Sequence, residues 1–256
     1  MFSKAIVRPP CVNFAAGLTT VDLGAPDLER ALKQHEAYCQ TLESCGLNVF
    51  RLTPDEEHPD STFVEDTAIL TARGAVITRP GAASRRRETN QIAPLIRDYF
   101  SNVHLIEEPG TVDGGDICEA GDHFFIGVSL RTNEHGAQQL AAILESFGYT
   151  SSLIDIRGVG KILHLKSGIA YLGDKRLVVI EPLKAVKEFS GYGLICLDSS
   201  EDYAANCLEI NGKLLIADGF PATKRELEHM GYQAIALDMS EFQKMDGGLS
   251  CLSLRF

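Results

Sequence analysis

The sequence predicts an α/β fold assembled from about five copies of one β-and-α unit, and three observations predict it. Four β-hairpins are legible from their turns, amphipathic helices follow several of them, and each helix leads into a further β-rich run. The copies recur at a spacing of roughly 40 to 50 residues. No Pro/Ser-rich linker or charge break separates them, so residues 1–256 read as a single closed domain of ββαβ units ringed around a central channel. On pattern alone, an ordinary doubly wound sheet and a two-domain α+β protein remain competing architectures.

Each element has a local reason. Residues 68–71 turn at Arg73-Gly74 into 75–78, and 117–119 turn at Gly121-Asp122 into 124–126. Residues 169–171 turn at Gly173-Asp174 into 177–180, and 207–210 turn at Asn211-Gly212 into 214–216. Gly-Asp and Asn-Gly between apolar runs are hairpin signals because such turns need residues that tolerate positive φ. A helix is expected over 26–45, where Leu28, Ala31, Leu32, Tyr38, Cys39 and Leu42 keep helical spacing between Pro26 and Gly46. Similar periodicity marks 88–99, 136–147 and a shorter 222–230, with Gly148 and Gly231 as stops. The N-terminal copy comprises 5–8, the first helix and 48–52; further strands are expected over 103–106 and 234–237. In the fourth copy, around 182–190, the helical pattern is weak.

Composition narrows the function. A 45% hydrophobic, 23% charged chain has the balance of a globular protein and not of a disordered one. Apolar runs such as 177–180 are far too short to cross a bilayer, and residues 1–7 enter a strand without a signal-peptide pattern, so a cytoplasmic location is expected. Seven cysteines, with no C-x-x-C pair, fit free thiols in a reducing compartment better than a disulfide framework. No metal or other cofactor is expected: His35 and Cys39 could form half a metal site on a helix, but no partner pair lies nearby in sequence. The formal net charge of −11 argues against nucleic acid and favours a small cationic partner.

The candidate site residues cluster at hairpin entries. Glu65 and Asp66 precede the first clear hairpin and Asp113 precedes the second, where uncompensated burial would be costly and a cation would relieve the cost. A solvated turn is the alternative, strongest for Glu65. His164, in Lys161-Ile162-Leu163-His164-Leu165-Lys166, stands in the corresponding place ahead of the third hairpin; strand alternation would put it on one face with Ile162 and Lys166. A hydrogen-bonded core histidine is its bland alternative. Cys251 follows Asp246-Gly247-Gly248-Leu249-Ser250, a turn that hands a thiol to a short apolar strand ending at Phe256. A lone cysteine is more often a small buried hydrophobe, but adjacent glycines allow a ligand to approach the backbone closely or permit positive φ. Arg85 opens a basic run at a helix start and Arg131 is isolated at another, against the helix dipole. That placement mildly favours carboxylate binding over a solvated face.

With these residues in place, the chain resembles the dimethylarginine dimethylaminohydrolases of the guanidine-modifying pentein superfamily. The resemblance runs through Gly17-Leu18-Thr19-Thr20, Pro59-Asp60-Ser61, Phe63-Val64-Glu65-Asp66, Arg79-Pro80-Gly81 and Pro109 to Asp116. It continues through His164-Leu165-Lys166, Tyr203 to Cys207 and the tail from Asp246. It implies a five-fold pseudosymmetric α/β propeller that hydrolyses Nω-methylated arginines to citrulline and an alkylamine. In that scheme Cys251 attacks the guanidinium carbon and His164 protonates the leaving amine, then deprotonates water. Asp66 and the catalytic Asp113 hold the guanidinium, with Glu65 near the methylated nitrogen. Arg85 and Arg131 would take the α-carboxylate, Asp60 and the Leu18 carbonyl the α-amino group, and Met245 would line the substrate. Gly17 and Gly24 would bracket a lid, and a homodimer is compatible with the resemblance. Asp113 stands where many bacterial members carry Glu, which bears on alkyl preference. The nearest rival is a deiminase acting on free arginine. Those enzymes resemble a His-x-Asp pattern with an inserted helical domain, whereas here Lys166 takes the second position and no insertion is visible. A non-enzymatic scaffold that binds ribosomal subunits would not need Cys251, His164, Asp66 and Asp113 together.

Overall fold

The computed structural model describes residues 1–160 and 162–256. Its described residues form five three-stranded sheets, all with one plan: a central strand antiparallel to one neighbour and parallel to the other. In four of them the antiparallel partner comes through a tight hairpin, and in all five the parallel partner comes through a crossover, which a parallel pair requires. The chain divides into two compact units, one of 1–64 with 206–256 and one of 65–205.

In the first unit, β1 (Lys4–Val7) leads through α1 (Leu28–Ser44) to β2 (Asn48–Arg51), which pairs parallel with β1. The helix starts later than 26 because Asp27 is its cap, accepting the Arg30 N–H at 2.9 Å. This copy takes its antiparallel strand from the other end of the chain, from β15 (Leu254–Arg255), in register Ala5 with Arg255 and Ile6 with Leu254.

The second unit holds three copies: β3 (Ala68–Thr71), β4 (Gly74–Ile77), α2 (Thr89–Tyr99) and β5 (Val103–Leu105); then β6 (Ile117–Ala120), β7 (His123–Val128), α3 (Glu134–Ser146) and β8 (Thr150–Asp155); then β9 (Ile169–Tyr171), β10 (Arg176–Val179) and β11 (Gly193–Cys196). Between β10 and β11 the weak helical pattern resolves as two 3-10 turns, Glu181–Leu183 and Lys187–Phe189. The last copy returns to the first unit with β12 (Leu208–Ile210), β13 (Lys213–Ala217), α4 (Pro221–His229) and β14 (Gln233–Leu237), and α5 (Ser240–Gln243) follows. Thus the four expected hairpins are present, while β8 and β11 went unread in the sequence because their apolar alternation is short.

The core of the second unit gathers Ile69, Val76, Ile126, Leu140 and Leu144 around Phe124 and Tyr149, whose rings meet edge to face at 5.0 Å. In the first, Phe14, Phe63 and Phe242 pack with ring centroids 5.7 to 6.4 Å apart. Among the described residues no helix is long and apolar enough to cross a membrane.

Leu254 is buried in β15 while its strand supplies the only antiparallel neighbour of β1 among the described residues. Leu254→Ala should cost about 2–5 kcal/mol. It should read as a lower urea midpoint with an unchanged slope; an unchanged midpoint would show that β15 does not hold β1.

Candidate functional site

Every hairpin or strand entry that carries a candidate residue is preceded by a 3-10 turn. Val64–Thr67 precedes β3, Gly114–Asp116 precedes β6, Leu165–Ser167 precedes β9, Asp202–Ala205 precedes β12 and Ser250–Leu252 precedes β15. These turns place Glu65 and Asp66, Asp113, His164, Asn206 and Cys251 at equivalent points of the repeat, where the backbone has left the ladder and the side chains are not bound to strand alternation. Residues 162–168 are therefore not the strand expected for them: His164 caps the Leu165–Ser167 turn with φ −130° and ψ 160°. Lys161, at the head of that segment, lies outside the described residues.

In the second unit, Asp66, Asp113 and His164 converge, with one ligand atom of each within 4.8 Å of the others. His164 Nε2 lies 3.0 Å from Asp113 Oδ2, and Asp113 Oδ1 accepts the Gly81 N–H at 2.8 Å. Asp66 accepts the Gly115 N–H on Oδ1 at 2.8 Å and the Arg85 guanidinium on Oδ2 at 2.6 Å. The glycines are steric requirements here. A Cβ on Gly115 would stand 2.7 Å from His164 Nδ1, and one on Gly114 would stand 2.0 Å from the Glu65 carbonyl oxygen.

Burial alone would lower the His164 pKa. The carboxylates of Asp66, Asp116 and Asp113 overcome that penalty and raise it to about 9, so the ring is an imidazolium at neutral pH. Burial works to raise Asp66, but Arg85 and the imidazolium hold it down at about 2. Arg85, despite complete burial, stays charged because Glu88 and Asp66 surround it; its guanidinium meets Glu88 at 2.8 Å as well as Asp66. The reason for a guanidinium at this position is thus internal in this conformation: it balances two buried carboxylates. Arg131 lies in the bend before Asn133, the cap of α3, and is half-buried. Glu65 is buried and pairs with Lys166 at 2.6 Å. The Asp66, Asp113 and His164 atoms are close enough to hold a metal ion. An ion there would have to displace the Asp113–His164 bond and sit beside the Arg85 cation, which disfavours it.

In the first unit, Leu18 N–H donates to Asp60 Oδ1 at 2.9 Å, and a Cβ on Gly17 would lie 2.5 Å from that oxygen and 3.2 Å from Met245 Cε. Leu18, Asp60 and Met245 are therefore neighbours. The 17–24 loop is tied to the segment ahead of Cys251: the Thr19 hydroxyl donates to the Lys244 carbonyl at 3.0 Å, and the Thr20 hydroxyl to Asp246 Oδ1 at 3.1 Å. Gly24 has φ +82°. Cys251 is partly exposed and lies within the Ser250–Leu252 turn, not on the strand.

The Gly247-Gly248 pair is explained by close approach and not by positive φ, which Asp246 adopts instead at +57°. A Cβ on Gly247 would come within 2.3 Å of the Phe63 ring, and one on Gly248 within 2.6 Å of the Asn206 side chain. Asn206 holds the turn on both sides, donating to Ser250 Oγ at 3.1 Å and accepting Ser250 N–H at 2.9 Å. Asn206, Lys166, Gly81 and Asp116 were not candidates from sequence. Only Asp116, a further carboxylate beside Gly-Gly at a hairpin entry, and Asn206, at the equivalent entry of another copy, carried a signal that could have found them.

The arginine deiminase family model matches residues 56–189. The chain is 44% identical to the N(G),N(G)-dimethylarginine dimethylaminohydrolase of Pseudomonas aeruginosa over the full length of both. Among solved structures, it matches that organism's enzyme as a cysteine-to-serine variant complexed with citrulline, with a TM-score of 0.97, 44% identity and full coverage of both chains. It also matches a dimethylarginine dimethylaminohydrolase histidine-to-glycine variant as its adduct with S-methyl-L-thiocitrulline, with a TM-score of 0.96, 44% identity and full coverage of both. The fold is accordingly the pentein fold of five repeated β-and-α units. Sequence, fold and repeat plan agree, and the chain belongs to the dimethylarginine dimethylaminohydrolase family.

Proposed function

We propose that residues 1–256 act as one catalytic domain that hydrolyses Nω-methylated arginines, asymmetric dimethylarginine and monomethylarginine, to citrulline and an alkylamine. The observation that carries this is the buried Asp66, Asp113 and His164 cluster, in which three ionisable groups meet within 4.8 Å. Kinship with enzymes that take citrulline and S-methyl-L-thiocitrulline supports the substrate class.

The Cys251 thiolate adds to the guanidinium carbon, and the substrate's positive charge favours that thiolate. His164, already an imidazolium, gives its proton to the alkylated nitrogen as the C–N bond breaks, leaving a covalent S-alkylthiouronium on Cys251. The now neutral His164 takes a proton from water as it attacks the same carbon; the C–S bond then breaks as the remaining hydroxyl proton passes to solvent, where the released amine is protonated, giving citrulline and the thiolate. Asp113 holds the imidazole and, with Asp66, receives the guanidinium through charge-assisted hydrogen bonds. Glu65 faces the alkylated nitrogen. Its pairing with Lys166 at 2.6 Å moderates its charge there, which suits a nitrogen with fewer N–H donors than that of free arginine. Asp60 and the Leu18 carbonyl take the α-amino group, Met245 lines the aliphatic chain, and Arg131 takes the α-carboxylate. Arg85 joins it only by exchanging one of its internal carboxylate partners. The 17–24 loop serves as the lid. No cofactor is required. We place the protein in the cytoplasm, without nucleic-acid or membrane partners, and infer a homodimer from the family.

Cys251→Ser should keep the fold and lose citrulline formation from asymmetric dimethylarginine by at least about 10³-fold, since the step it removes is the covalent one. Near-normal turnover would overturn the nucleophile assignment. Assayed side by side, asymmetric dimethylarginine should release dimethylamine far faster than arginine releases ammonia; the reverse order would make the protein a deiminase.

His164 also sets a pH dependence of stability. Its folded value is raised from 6.5 to about 9, so the stabilisation is complete below about pH 6.5 and is lost as pH rises through about 9. Between pH 7 and 10 the wild-type Tm should therefore fall more steeply than that of His164→Gln. Parallel profiles would mean that His164 is not held as the imidazolium.

A further inference from the structure

The carboxylate of Asp116 is completely buried, and beyond its charge on His164 the chemistry above gives it no role. Its two oxygens nevertheless lead to both partners of the proton-transfer pair. Oδ1 accepts the N–H of Leu165, the residue next to His164, at 3.0 Å. Oδ2 accepts the Ser129 hydroxyl at 2.7 Å. Ser129 Oγ in turn accepts the N–H groups of Arg131 at 2.9 Å and Thr132 at 3.0 Å. Thr132 Oγ1 accepts the N–H of Asp113 at 3.1 Å, and Asp116 N–H itself donates to the Asp113 carbonyl at 3.0 Å. The circuit closes through the 3.0 Å bond from Asp113 Oδ2 to His164 Nε2. Gly127 makes room for it, since a Cβ there would stand 3.0 Å from Asp116 Oδ1.

We propose that Asp116 is a positioning residue for the Asp113–His164 pair, fixing the backbone on either side of the proton-transfer bond from one buried carboxylate. The proposal rests on His164 being the proton carrier. A carboxylate is the group that fits, because it accepts on both oxygens and donates on neither. An amide of the same shape serves one arm and turns a donor toward the other. Burial raises the Asp116 carboxyl, and His164 with the Thr132 and Ser129 hydroxyls offsets part of the rise, leaving it at about 6, so both oxygens act as acceptors at neutral pH. The same carboxylate fixes the backbone of Arg131 through Ser129, which ties the proposed α-carboxylate ligand to the proton-transfer pair.

Asp116→Asn and Ser129→Ala, singly and together, test it with asymmetric dimethylarginine as substrate and with amide hydrogen exchange. Asp116→Asn should lower kcat about 10- to 100-fold with KM within about 3-fold, as expected when a reacting group is misplaced but the ligand is still bound. Ser129→Ala should lower kcat by a smaller factor, and the double variant should be no slower than Asp116→Asn, because both changes cut one circuit. The Leu165 amide should exchange at least about 10-fold faster in Asp116→Asn while the β6 and β7 amides keep their protection. A kcat within about 2-fold of wild type in either single variant would overturn the proposal. So would a loss shared by kcat, KM and β6–β7 protection, which is what a merely structural role produces. If Asp116→Asn does not fold, kcat of Ser129→Ala decides. If the wild type releases no citrulline, the proposed function falls instead, and Leu165 exchange alone decides the positioning.

Discussion

The bond between Asp113 Oδ2 and His164 Nε2 is the contact on which the rest of the second unit's chemistry depends. It exists inside a strongly acidic interior. Asp66, Glu88, Asp113 and Asp116 are buried together with two cations, Arg85 and the His164 imidazolium. Removing a buried charge from water costs several kcal/mol unless it is paired and hydrogen-bonded. The cluster meets that cost unevenly: Asp66 and Glu88 are satisfied by Arg85, Asp116 by hydroxyls and an amide, and Asp113 by His164 and Gly81. Negative charge remains in excess, so a guanidinium ligand completes the balance, and the net charge of −11 extends the same bias over the whole chain.

The repeat explains why chemistry-bearing side chains recur along so much of the sequence. Each copy presents a 3-10 turn at the same point, just before its antiparallel strand, and each such turn carries a different chemistry. The copy around β3 offers carboxylates, that around β6 a carboxylate beside two glycines, and that around β9 an imidazole. The copy around β12 offers the amide of Asn206, and the one closed by β15 a thiol. The scaffold is the same each time, so function is set by which residue stands at the turn and by what its neighbours leave room for. Gly114, Gly115, Gly247 and Gly248 are small because a backbone carbonyl, a ring or, at Gly248, the Asn206 amide occupies the space a Cβ would need.

Much of this was legible in the sequence, and what was not has physical causes. The hairpins showed because Gly-Asp and Asn-Gly turns report their own backbone conformation, and α1 and α3 showed because one face of each is apolar. The 3-10 turns did not show: a three-residue turn has no period, which is why the segment around His164 resembled a strand. The pairing of β15 with β1 is a contact between residues at opposite ends of the chain, and local pattern carries no record of it. Asp66, Asp113 and His164 were found together because they occupy matching repeat positions. The pairing of Arg85 with Asp66 and Glu88 went unread, since one of those carboxylates lies 19 positions away in sequence. The roles of Lys166 and Asp116 are visible only through partners about 50 to 100 positions off.

The charge on His164 is the claim from which the acid step, the pH dependence and the acidic interior all follow. A nitrogen-detected NMR titration of the His164 imidazole in the ligand-free protein measures it directly. The ring should be protonated on both nitrogens through neutral pH, with a midpoint of about 9. A midpoint at or below the ordinary value of about 6.5 would contradict it.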